Sequence, residues 1–272
     1  MHLADRRDGC SNVAVDRVAV LAEFDDQMRR NPAPELGTYV EREERVTRII
    51  SGGDGWSGVL WTELTEADAQ AVIGAQVRRF AELARPWEWK YYSYDQPAGL
   101  PGRLQAAGFA PDPAETLMVA EIACLNVNVS PPAGVELVPV TDADGAAAVT
   151  RVHHEVFGGD HSAIGAAIMA AQELQPRPVE AVVAVAGDTA ISAGRVEFPQ
   201  HGDFASLWGG GTLPGWRGRG VFRSLVAYRA QLARDRGYRY LQVDASPHSR
   251  PILQRIGFTE LAETTPFRYS RY

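Results

Sequence analysis

Residues 206–237 read SLWGGGTLPGWRGRGVFRSLVAYRAQLARDRG, and this stretch decides the fold. An apolar, strand-like run reaches Pro214-Gly215. A glycine-rich turn follows, Arg217-Gly218-Arg219-Gly220. A helix then starts at Val221 or Phe222, with apolar residues at Phe222, Leu225, Val226, Leu232 and Ala233. Strand, glycine turn and helix N-terminus together make an anion site. The first N–H groups of a helix have no partner inside it, and the helix dipole is positive there. Glycine lets the backbone close on the anion. Arg217, Arg219 and Arg223 add charged donors suited to phosphate. Residues 206–234 contain no Asp or Glu, although the chain has a net charge of −7. The turn is not a Walker loop, because no Gly-Lys-Ser/Thr closes it. It also lacks the third glycine of a dinucleotide fingerprint.

Outward from this stretch lies an internal repeat. With an offset of 149 residues, Asp95 falls on Asp244, and residues 81–109 cover residues 230–258 without a gap. Ala81, Leu83, Ala84, Arg85, Tyr91, Asp95, Leu104, Gln105, Gly108 and Phe109 recur as Ala230, Leu232, Ala233, Arg234, Tyr240, Asp244, Leu253, Gln254, Gly257 and Phe258. Two copies of one supersecondary unit explain this. Each copy reads as a helix ending near Arg85 or Arg234, a strand at 89–95 or 238–244, and a short helix closed by Gly-Phe. The glycine supplies the left-handed cap. Upstream of the second copy, helices are expected near 144–157 and 163–173. Strands are expected at 135–140, 181–186, 190–198 and 204–213, with Gly187-Asp188 as a hairpin turn. The order is β-α-α-β-β-β-α-β-α-β, an α/β (mixed α+β) sheet. Residues 126–134, NVNVSPPAG, read as a linker, because Pro131-Pro132 extends neither neighbour. The expected domains are 1–130 and 131–272.

Residues 212–258 resemble the core of the GNAT acetyltransferase superfamily. The likeness rests on Pro214, on Arg217-Gly218-Arg219-Gly220-Val221-Phe222 in the phosphate turn, and on Ile256-Gly257-Phe258 at the end. It covers most of residues 135–272. It implies an acetyl-CoA (or other acyl-CoA) site in which backbone N–H groups of residues 217–223 hold the pyrophosphate. Thr212 and Leu213 would pair with the pantetheine arm. The cofactor set is therefore Thr212, Leu213, Arg217, Gly218, Arg219, Gly220, Val221, Phe222 and Arg223. Two positions depart from the family. Leu253 stands where a tyrosine often serves as general acid, and Ser246 where asparagine is usual.

The N-terminal copy lacks the turn. Residues 59–72, VLWTELTEADAQAV, have no glycine, and they place Glu63, Glu66 and Asp68 where a pyrophosphate would lie. Carboxylates stabilise a helix N-terminus and repel phosphate. The arrangement is similar to tandem GNAT-like proteins whose N-terminal domain is degenerate and in which one half binds coenzyme A. Because Asp95 repeats Asp244 without the turn, Asp244 is expected to have a structural role such as capping.

Acyl transfer to an amine needs a base for the ammonium proton and a donor for the thioester oxygen. Glu197 on a central strand, Asp203 in the adjacent hairpin loop and His154 are the candidates. His153, His154 and His161, with Glu155 and Asp160, fit no zinc spacing, so no metal is expected. The composition, 45% hydrophobic and 22% charged, is that of a globular chain. The acidic balance argues against nucleic acid and favours cationic acceptors. No apolar run approaches the roughly 20 residues that cross a bilayer, and the N-terminus shows no signal-peptide pattern. Two cysteines, Cys10 and Cys124, lie in no ligand pattern and make no disulfide scaffold, so a reducing cytoplasm is the simplest compartment. Lys90 is the only lysine. The reading is an acetyl-CoA-dependent N-acyltransferase acting on a small-molecule amine by direct transfer. The alternative is an acyl-CoA-binding regulatory module with weak catalysis, motivated by Leu253. Acceptor identity, acyl length and oligomeric state stay open.

Overall fold

The computed structural model describes residues 16–53 and 55–270. Cys10 and the N-terminal signal reading lie outside them. In chain order the elements begin with α1 (Arg17–Phe24), a π-helical turn (Asp25–Arg30), β1 (Thr38–Glu43), β2 (Val46–Ser51) and β3 (Gly58–Thr62). Next come α2 (Ala69–Ala81), β4 (Trp87–Tyr92), α3 (Leu100–Ala106), β5 (Ala110–Pro111) and β6 (Glu115–Glu121). After the linker follow β7 (Glu136–Pro139), α4 (Ala143–Phe157), α5 (Ser162–Gln172), β8 (Val179–Ala186), β9 (Thr189–Glu197) and β10 (Phe204–Thr212). The chain ends with α6 (Val221–Asp235), β11 (Tyr240–Ala245), α7 (Arg250–Ile256) and β12 (Thr259–Tyr269). The expected α/β order is observed. One helix is shorter than expected: α2 stops at Ala81, and Ala84 takes a left-handed φ of 48° before β4. Gly108 and Gly257 both have positive φ, 102° and 119°, as their place after α3 and α7 requires.

The apolar run AVVAVA of β8 is buried on both sides. Ala181 and Val183 pack toward α4 and α5 with Val149, Val152 and Ile168. Val182 and Ala184 pack toward α6 with Ile191, Val221 and Leu225. Alternation along the strand makes one segment serve two layers. In the N-terminal half, Val59, Ile73, Phe80, Trp89 and Leu104 form the corresponding core, with Phe80 stacked on Trp87 at 4.0 Å.

All twelve strands form one sheet, in the order β1-β2-β3-β4-β12-β6-β11-β10-β9-β8-β7, with β5 pairing β12. Its centre crosses the linker. β6, from the first half, lies antiparallel to β11 with Asp244 opposite Leu117. β12, from the second half, lies antiparallel to β4 with Pro266 opposite Lys90. β6 and β12 also pair with each other. Each half therefore takes its last strand from the other, and a cut between residues 130 and 131 separates both halves from a strand they use. Among the described residues no helix is long and apolar enough to cross a membrane.

Candidate active site

β10 and β11 run parallel but pair only over Phe204–Ser206 and Tyr240–Gln242. Beyond Ser206 they part. The cause lies in Gly209-Gly210-Gly211, where the register of β10 against β9 shifts between Trp208 and Gly211. A Cβ at Gly209 would fall 2.6 Å from the His153 ring, and one at Gly211 2.9 Å from Val156. On the other face a Cβ at Gly210 would meet Phe222 at 3.0 Å. Helices α4 and α6 thus press on both faces of a strand that has no side chains to hold them off. The parting leaves a cavity of about 240 Å³, lined by Trp208, Phe222, Val243 and Leu253 and by the charged groups of Glu115, Asp244 and Arg229.

The N-terminus of α6 opens near this cavity. Gly220 precedes the helix at φ 91°, and no side chain caps it. The N–H groups of Val221, Phe222 and Arg223 have no intrahelical acceptor. No acid stands in the first turn. Arg217 donates from Nε to Thr212 O at 3.0 Å, and the Arg219 guanidinium lies 4.9 Å from the Trp216 ring centre. Arg217, Arg219 and Arg223 are exposed. This end can receive a multiply charged anion. Phe222 turns inward against Gly210, so its bulk leaves the turn clear. Thr212 shares a 2.7 Å hydrogen bond with Ser192 through the hydroxyl groups. The Leu213 N–H donates to Ile191 O at 2.9 Å and is therefore turned back toward β9.

None of the three expected catalytic residues lines the cavity. Glu197 accepts from Arg195 Nε at 2.7 Å. Asp203 is held by Gln27, which donates to Oδ2 at 2.9 Å and accepts from the Asp203 N–H at 2.7 Å. His154 is exposed; its Nδ1 donates to Gly159 O at 2.8 Å, in a surface groove with Glu155, Asp160 and His161. The neighbouring His153 faces inward instead. Its Nε2 donates to Gly209 O at 2.8 Å and pins the bulge. Its Nδ1 is buried without a partner among the described residues. Burial pushes its pKa down to about 4. The apolar stripe Ala146, Val149, Val152 and Val156 was the available signal, since it puts residue 153 on the buried face of α4.

Asp244 forms a buried ion pair with Lys90, whose β4 lies beyond two intervening strands. Asp95, its repeat, behaves differently: it accepts from Arg29 at 2.7 and 2.9 Å and from the Tyr92 N–H at 3.0 Å. The turn-capping role expected for Asp244 is therefore seen at Asp95. Arg229 is buried with no carboxylate partner among the described residues; its Nε donates to Leu225 O at 3.0 Å and its Nη1 to Arg195 O at 3.1 Å. Burial pushes its pKa down to about 9. Glu115 and Arg229 carry no sequence signal, because one comes from the other half and the other reads as a helix-surface arginine.

Residues 147–258 match the model of the acetyltransferase (GNAT) family, so the second half carries a domain of that family. No curated protein matches the chain by sequence. Among solved structures it is similar to a GCN5-related N-acetyltransferase from Kribbella flavida, with TM-score 0.67 and 16% identity over 94% of this chain and 95% of that one. It is also similar to a functionally unknown conserved protein from Staphylococcus epidermidis, with TM-score 0.63 and 14% identity over 92% and 98% of the two chains. A tandem GNAT protein from the clavulanic acid biosynthesis pathway aligns with TM-score 0.60 and 13% identity over 93% of each chain. These likenesses establish the fold across both halves.

Proposed function

We propose that this chain transfers the acyl group of acetyl-CoA, or of another acyl-CoA, directly to the nitrogen of a small-molecule amine. One observation carries the reading: the uncapped, arginine-flanked N-terminus of α6 stands beside the cavity where β10 and β11 part. A pyrophosphate held by residues 217–223 would leave the pantetheine arm to run along β10 past Thr212, toward Trp208 and Asp244. The chain is divided accordingly into a 1–130 half without the turn and a 131–272 half that holds it. An acidic chain suits an ammonium acceptor better than an anionic one. A cytoplasmic setting belongs to the same reading. The test is release of free thiol from acetyl-CoA across a panel of alkylamines, with coenzyme A binding followed by calorimetry. Binding with thiol release above the hydrolysis background supports it, and absence of binding ends it.

A second reading rests on Leu253. This residue is buried and apolar at the cavity wall, where it offers no proton to a leaving thiolate. A regulatory module that binds acyl-CoA fits that feature. It is favoured if coenzyme A binds and no amine accelerates thiol release.

A further inference from the structure

Three polar groups of the cavity wall keep hydrogen-bonding capacity unused among the described residues. Glu115 accepts no hydrogen bond and enters no ion pair among the described residues. Asp244 gives one oxygen to Lys90, and its other oxygen, Oδ1, is buried and unpartnered, although the side chain is only 5% exposed. The Trp208 Nε1–H is buried and unpartnered as well. Buried polar atoms are normally satisfied, so Asp244 Oδ1 and Trp208 Nε1–H, left open on one cavity beside the half-buried Glu115 carboxylate, describe a ligand. The ligand needs a cationic N–H group and an oxygen.

Register brings the two carboxylates together. Thr116 pairs with Ala245 at the end of β11, so Glu115 stands one residue beyond that pair and on the same side of the sheet as Leu117 and Asp244. Resting on the transferase reading above, we propose that Glu115, delivered by β6 from the half without the cofactor turn, is the proton acceptor for an alkylammonium substrate that also donates to Asp244 Oδ1. The ammonium loses one proton to Glu115. The freed nitrogen lone pair forms the N–C bond to the thioester carbonyl carbon, and the C–S bond breaks. A second nitrogen proton passes to the sulfur, so amide and thiol leave, and Glu115 returns its proton to water.

Several charged groups bear on Glu115. Asp244 comes from β11, Lys90 and Glu88 from β4, and Asp112 from the turn before β6, while Arg229 of α6 lines the same cavity. Burial is the largest influence and Asp244 the next, and against the pull of Lys90 they raise Glu115 to about 7. A carboxylate at that level is a far stronger base than a surface glutamate and is still ionised in part at neutral pH.

The test uses the full chain, alkylamines, and thiol release between pH 5.5 and 9. The wild-type rate should rise with pH through about 7. Glu115→Gln should lower kcat/KM at neutral pH by roughly 10²-fold or more, remove that limb, and recover at alkaline pH where water supplies free amine. Its coenzyme A affinity should stay within about twofold, which also reports folding. Asp244→Asn should move the limb to lower pH, because Lys90 then acts on Glu115 unopposed. A Glu115→Gln enzyme with an intact rate and limb overturns the proposal. So does a larger loss in Glu197→Gln, or a limb unmoved in folded Asp244→Asn. If the wild type itself releases no thiol with any amine, the transferase reading fails first and takes this one with it.

Discussion

The N-termini of α6 and α2 occupy repeated positions and have opposite chemistry. At α6 the backbone is glycine, the first turn has no acid, and the arginines are exposed. At α2 the preceding residue is Asp68, which accepts from the Thr65 N–H at 2.7 Å and pairs with Arg45. Glu66 pairs with Arg103 from α3. The Thr65 N–H bond, with Arg45, holds the Asp68 carboxyl below its usual range. The strands differ in the same sense. Both β3–β4 and β10–β11 pair briefly. Beyond the first, Leu64 and Leu100 pack into core. Beyond the second lies the cavity. One scaffold thus keeps its packing in both copies, with glycine and exposed arginines before one helix and carboxylates before the other. What the first half gives to the site is a strand.

The comparison breaks most directly at Gly220. Gly220→Glu should cut coenzyme A affinity by more than about 100-fold in calorimetry, since a carboxylate enters an anion site at a helix N-terminus. Only Pro132 Cγ, at 4.0 Å, stands near an added Cβ, but the positive φ strains any side chain, so folding is checked by circular dichroism. The companion Arg219→Glu/Arg223→Glu leaves the backbone alone. It should lose roughly 10- to 100-fold and weaken the salt dependence of binding. The wild type should bind one coenzyme A per chain. A stoichiometry of two would mean that α2 also receives phosphate.

A second break lies in the exchanged strands. Leu117 is fully buried on β6 and packs with Val119, Phe204 and Tyr240. Leu117→Ala should cost about 2–5 kcal/mol, and both halves should still melt in one transition, because β6 joins β11 to β12. Two separate transitions in calorimetry would show that the halves fold independently. The smallest effect at neutral pH concerns His153. Its pKa is depressed from 6.5 to about 4, so the stability it contributes is complete above 6.5 and lost as pH falls toward 4. In His153→Gln, whose amide can still donate to Gly209 O, that part of the acid decline in denaturant midpoints should vanish.

Local features were legible from the chain. The turn at 217–222, the glycine stops at Gly108 and Gly257, and the apolar runs of the strands depend on residues within a few positions of one another. Dihedral freedom, helix-end chemistry and strand alternation are written at that range. The repeat was legible for the same reason, since it needs only like residues at a fixed offset. Glu197 and Asp203 were also found on or beside the central strands, but the partners that occupy them, Arg195 and Gln27, were not foreseen. Gln27 lies in the first half, 176 residues from Asp203.

By itself, then, the sequence determined the mixed sheet, the doubled unit and the contrast of glycine and charge before the two repeated helices, because each follows from backbone conformation and nearby charge. Only the tertiary structure decided that β6 and β12 change places, and with them what faces the cavity. Strand pairing is set by hydrogen bonds any backbone can make and by burial summed over the whole sheet, so a sequence pattern marks a strand without naming its neighbour. Lys90 illustrates the point. As the only lysine it was conspicuous in the chain, yet its partner Asp244 lies 154 residues away and was brought to it by two strands that neither residue belongs to.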